Sequence, residues 1–170
     1  GRPGPVVLVT PEDMLTQRSK SRVRDYKPVV AGEMPQVGLD ALLEKLNGSK
    51  KPLFIIGGSG WTDVACSNFY NFAVENDLPV TTSFRRQDLF DHKSDNYVGS
   101  FGSSISPNLI ESVKNCDLIV VLGARLGEFT TRGYSIINPE IQINQKMVHI
   151  HVDPDELNKV YNASLCISAG

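Results

Sequence analysis

A chain of 170 residues with a formal net charge of −2 and no basic cluster is one domain in size, with nothing to attract nucleic acid or anionic lipid electrostatically. No apolar run approaches the ~18 residues of a membrane span, and the opening residues lack a charged–apolar–small leader pattern. Cys66, Cys116 and Cys166 are odd in number and form no CxxC pair, which predicts reduced, mostly buried thiols in a cytoplasmic protein able to bury roughly 70% of its unfolded surface.

The chain opens on "GRPGPVVLVTPEDM", where Val6 to Val9 read as a buried strand with very little before it. It stops just after "SLCISAG", another strand, so both ends read as cut from a longer chain. Residues 16–35 are polar, basic and without period, which predicts a linker between a piece at 1–15 and a domain at 36–170. Leu39, Leu42, Leu43 and Leu46 then recur at helical spacing, and "NGSKKP" stops that helix.

From there strand and helix alternate. "PLFII" is a strand, and "TDVACSNFYNFAVENDL" a helix with Thr62 as N-cap and Ala65, Phe69, Phe72 and Ala73 on its inner face. "PVTTS" is a strand, followed by a long irregular connection that holds a further strand near Tyr97. "SPNLIESVKNC" is a helix with Ser106 as N-cap and Pro107 in its first turn. "DLIVVLG" and "MVHIHVD" are strands, "PDELNK" a short helix led by Pro154, and "ASLCIS" the last strand. Short apolar strands separated by helices predict an α/β fold: a Rossmann-like, doubly wound parallel sheet of five to six strands flanked by helices. Ligands of such sheets sit outside the carboxyl ends of the strands, at the switch point, so the strand-end loops are the candidate site.

The loop after the first strand, "GGSGW", admits two readings. Its glycines bring backbone N–H groups and the next helix N-terminus toward an anion, or they only make a tight corner. It is not an NAD fingerprint, because the third glycine is missing and "PVTTS" ends in hydroxyls where a ribose-binding acid would stand; it is not a P-loop either. Arg125, two residues past the strand that ends at Gly123, suits adenine stacking or phosphate binding, or else a surface salt bridge with Glu128. Met147, His149, His151 and Asp153 share one strand face. His92 is the only other histidine, so a metal site lacks further ligands and the pair at 149 and 151 reads as core. Asp153 reads as an N-cap or a ligand contact. No GxSxG elbow and no paired carboxylates are visible.

Taken in order, "RPGPVVLVTPEDM", "KPLFIIGGSG", "LPVTTS", "CDLIVVLGARL" and "VHIHVDPDELNK" resemble the central domain of thiamine-diphosphate-dependent enzymes of the acetolactate synthase type. The resemblance covers nearly the whole chain. It implies a DHS-like NAD/FAD-binding fold, with residues 1–15 as the last strand of a truncated pyrimidine-binding domain. It implies a parent enzyme that decarboxylates a 2-oxo acid and transfers or releases the product unit, and that works as a homo-oligomer. The parent's pyrimidine- and pyrophosphate-binding domains would be this domain's partners and would hold thiamine diphosphate and magnesium. The activating glutamate of the first and the Gly-Asp-Gly motif of the third are absent here, so the chain alone is expected to catalyse nothing. Central domains of the family bind FAD, bind ADP, or serve as ligand-free scaffold. The FAD binders' positions fall on Gly57, Gly58, Ser59 and Gly60, on Thr82 and Ser83, on Gly123 and Arg125, and on Asp153. Two departures stand out. Trp61 is a bulky residue at the helix start, and Arg85 and Arg86 suit a phosphate-rich ligand such as ADP or CoA. In the scaffold reading, side chains such as Trp61 or Arg125 fill the cleft.

Overall fold

Among the described residues, six short strands pair into one parallel sheet in the order 3-2-1-4-5-6. The computed structural model describes residues 4–25, 27, 32–140 and 147–170, so residues 26 and 28–31 of the expected linker, and 1–3 of the opening piece, lie outside the described residues. The strands are β1 (Pro52–Ile56), β2 (Val80–Ser83), β3 (Tyr97–Phe101), β4 (Leu118–Leu122), β5 (Met147–His151) and β6 (Leu165–Ser168). The helices are the one-turn α1 (Glu12–Leu15), then α2 (Gln36–Gly48), α3 (Asp63–Glu75) and α4 (Pro107–Asn115). The sheet is the doubly wound α/β architecture that the alternation predicts, and the strand near Tyr97 is β3.

Side chains of one strand alternate between faces, and each face has its own core. Leu53, Ile55, Ile119, Val121 and Met147 point to the face covered by α4 through Leu109 and Val113. Phe54, Ile56, Val120, Val148 and Ile150 point to the face covered by α2 and α3. A fully buried side chain of this size contributes about 1.5–3 kcal/mol, so the central strands supply much of the driving force. The caps follow the sequence: Thr62 Oγ1 accepts the Ala65 N–H at 3.1 Å, and Ser106 Oγ accepts that of Leu109 at 3.2 Å. The segment after β4 is more than a loop, since Leu126, Ile136 and Ile137 enter the α4-side core and the Tyr161 hydroxyl donates to the Ile137 carbonyl at 2.8 Å.

Four expectations are corrected. Val6 to Val9 form no strand and are 82–92% exposed, because no sheet edge among the described residues receives them. The helical face of α2 is narrower than its leucine spacing suggests: Leu42 is buried, while Leu39 and Leu43 are exposed. α2 leans on the edge strand β6, where a Cβ on Gly38 would stand 3.3 Å from Ile167 Cδ1, so the line Gly38–Leu42–Leu46 faces inward. "PDELNK" makes a single 3-10 turn, Pro154–Glu156, which ends before the left-handed Asn158 (φ 59°). Of the cysteines, Cys116 is buried, whereas Cys66 and Cys166 are only half-buried.

Candidate functional site

The sheet order reverses between β1 and β4, so the loops that leave these two strands flank the switch point. Each strand's ladder runs one residue into its loop: Gly57 N–H donates to the Leu122 carbonyl at 3.0 Å, and Gly123 N–H to that of Ile150 at 2.8 Å. Gly58, Gly60 and Gly123 have φ of 75°, 92° and 70°. The two loops then meet backbone to backbone. A Cβ on Gly57 would fall on Ser83 Oγ, one on Gly58 on the Gly123 carbonyl oxygen, and one on Gly123 at 2.6 Å from the Gly57 oxygen. Loop packing alone therefore requires glycine at 57, 58 and 123.

The left-handed turn carries Trp61 back over its own start. The indole N–H donates to the Gly57 carbonyl at 2.8 Å, and the ring meets Phe69 edge-on at 5.9 Å. Phe69 is in turn packed on Phe54 and Phe90, so the indole joins an aromatic cluster on the α3 face. Beside it lies a cavity of about 410 Å³, bordered by Ser59, Gly60 and Gly123 and walled by Trp61, Phe69 and Ile150.

The other candidate residues do not converge on that cavity. The Thr82 hydroxyl is buried 3.2 Å from that of Tyr97, and Ser83 is buried under Gly57. Arg125 Nε lies 3.3 Å from Glu156 Oε2, and Lys159 reaches the other oxygen of the same carboxylate at 3.4 Å. Glu156, on the turn after β5, thus replaces the expected Glu128 as Arg125's partner; no sequence signal marks it, because the pairing depends on β4 and β5 lying side by side. Asp153 is an N-cap, accepting the Asp155 N–H at 3.1 Å. Arg86 donates two parallel bonds to Asp88, at 3.1 and 3.0 Å, which lowers that carboxyl's pKa. Arg85, at φ 61°, lies over the Phe84 ring at 5.1 Å.

His149 and His151 are core residues. His149 Nε2–H donates to the Ala124 carbonyl at 3.0 Å, and His151 Nδ1 accepts the Asp153 N–H at 3.0 Å. Burial pushes the His149 pKa down and keeps the ring neutral. No group of three or more metal-binding side chains occurs among the described residues.

A pyrophosphate needs backbone donors and positive charge. Here the Gly57 N–H of the turn and the Gly123 N–H of the facing loop are committed to the sheet, the indole lies over the turn, Arg125 is held through Nε by Glu156 while half-exposed, and Arg86 is paired with Asp88. With the indole against Gly57, the turn is a poor cradle for the phosphates of FAD or ADP. The cavity beside it offers mainly apolar wall.

Residues 39–170 match the family described as thiamine pyrophosphate enzyme, central domain. The acetolactate synthase large subunit of Haemophilus influenzae is 29% identical over 167 residues, which cover 94% of this chain and 28% of that protein. The large subunit from Parasynechococcus marenigrum is 28% identical over 98% of this chain and 27% of its own length. The isozyme 3 large subunit of Escherichia coli is 28% identical over 98% of this chain and 29% of its own length. The chain therefore spans somewhat more than a quarter of the curated relatives that it matches.

Proposed function

The chain belongs to the thiamine pyrophosphate enzyme central-domain family, and we propose that it serves as the middle domain of an enzyme resembling acetolactate synthase. That enzyme decarboxylates a 2-oxo acid and transfers or releases the resulting unit, with thiamine diphosphate and magnesium held by its pyrimidine- and pyrophosphate-binding domains. Residues 1–15 are then the last strand of the first of these, and 16–35 the connection. The observation that carries the reading is the family match over 39–170, the same span that folds as the six-stranded sheet. The exposed Val6–Val9 segment supports it too, as an apolar run that no strand of the sheet covers among the described residues.

In this reading the domain is chiefly architectural, and the chain alone turns nothing over. Two measurements test it. The gene on either side of the 170 codons should encode an upstream glutamate-bearing domain and a downstream Gly-Asp-Gly motif. The purified chain, given pyruvate, thiamine diphosphate and Mg²⁺, should release no CO₂. A gene without those flanks, or turnover by the chain alone, overturns the proposal.

A second reading, FAD or ADP bound through Gly57–Gly60, Thr82, Ser83, Gly123, Arg125 and Asp153, is favoured by one observation. The 410 Å³ cavity stands at the carboxyl ends of the strands beside the switch point, in the size range of ligand pockets.

A further inference from the structure

We infer that Trp61 occupies, from within the chain, the place at the β1–β4 switch point where a dinucleotide's pyrophosphate would lie, and that the domain is closed to FAD and ADP while the indole stays there. This does not rest on the identity of the parent enzyme.

The geometry comes first. The indole nitrogen is 2.8 Å from the Gly57 carbonyl and 3.5 Å from where a Cβ on Gly123 would stand, so one ring touches both loops that form the crevice. In a doubly wound sheet the phosphates sit between the glycine turn and the first turn of the next helix. Trp61 is the residue just before the Thr62 cap of α3, and Thr62 Oγ1 already accepts one of that helix's N–H groups at 3.1 Å. Phe69, about two turns along α3, meets the indole edge-on at 5.9 Å and backs it on that side. Charge points the same way. Phosphates arriving at this end of the sheet would meet Arg125, half-exposed but held through Nε at 3.3 Å by the buried Glu156 carboxylate, and Arg86 held by Asp88. The Gly57 carbonyl, an acceptor that a phosphate would repel, is satisfied by the indole N–H instead.

Trp61 is the only tryptophan, so the chain's indole fluorescence reports on this ring alone. ADP titrated into the wild-type chain should leave the emission unchanged, and neither FAD nor ADP should raise Tm. In Trp61→Gly the crevice is open, and either nucleotide at about 100 times its Kd should raise Tm by roughly 5–10 °C. Trp61→Phe keeps a ring in place and should stay unresponsive. A change in emission or a rise in Tm in the wild type overturns the inference, and that arm is informative whether or not Trp61→Gly folds. A folded Trp61→Gly that responds to neither nucleotide overturns it as well. Both outcomes leave the parent enzyme's identity untouched, since that is read from the flanking gene.

Discussion

Single carboxylates and imidazoles set much of this fold's pH response, and Asp117 shows how. It sits between α4 and β4, and its carboxylate accepts the Ser49 hydroxyl, the Lys50 N–H at 2.7 Å and the Lys51 N–H at 2.9 Å. One side chain thereby ties the corner that feeds β1 to the corner that feeds β4, where Pro52 pairs with Leu118. The Ser49 bond, with help from the two backbone donors, lowers its pKa from 3.8 to about 2. The folded pKa lies below the unfolded one, so the stabilisation is complete above the ordinary value and drains away as pH falls toward 2. Asp117→Ala should cost about 1–3 kcal/mol in urea unfolding at neutral pH. His149 is also depressed, by burial, but as a base. The unfolded imidazole takes up its proton first, so stability is whole above about pH 6.5 and falls as pH drops below it, by at most ~1.4 kcal/mol per pH unit. His149→Gln keeps a donor for the Ala124 carbonyl without titrating. Urea midpoints at pH 7.5 and 5.5 should therefore differ less in that variant than in the wild type.

Among the elements, the glycine turn separates two demands that look alike in sequence. Gly58 (φ 75°) and Gly60 (φ 92°) are both left-handed, but a Cβ on Gly58 would strike the Gly123 carbonyl, whereas one on Gly60 meets nothing within 4 Å. Gly60→Ala should cost only the backbone term, about 1–2 kcal/mol. Gly58→Ala adds a clash with rigid backbone and should cost more than that or prevent folding; equal losses on thermal unfolding would contradict the packing account. The elements themselves were legible because apolar runs, hydroxyl caps and Pro107 are local signals. The candidate loops were legible as a group because parallel topology brings carboxyl ends together whatever their residues. What each residue does there was not legible, since it depends on distance in space. Glu128 is the acid near Arg125 in sequence, but adjacent strands deliver Glu156 instead. Likewise, the leucine spacing of α2 does not say that its partner is an edge strand too narrow to cover Leu39 and Leu43. Trp61 stood out by bulk, but its bond back to Gly57 needs the left-handed turn to be known.

At the scale of the whole molecule, the sheet and its two cores account for the described residues from about 32 onward, and the preceding arm stands apart. Met34 packs against the α2–α3 core, and the Gly170 N–H donates to the Gly32 carbonyl at 3.0 Å, so attachment is visible from there. Every described residue from 4 to 25 is exposed, and α1 buries none of its side chains. The arm nonetheless carries four consecutive apolar residues, Val6 to Val9, each at least 82% exposed. Such a segment adds little to the fold's stability, but it is well suited to pair with an open sheet edge, and β3 and β6 each offer one. Deleting residues 1–25 should then separate two properties that usually fall together. Tm should stay within about 2 °C of the full chain, because surface segments without contacts contribute under ~0.5 kcal/mol. Association in sedimentation velocity should decrease, because the apolar run is gone. Leu8→Lys in the full chain should reproduce the second effect and leave Tm unchanged, since the substitution touches no core residue. A large fall in Tm on deletion would mean that the arm packs against the sheet it precedes.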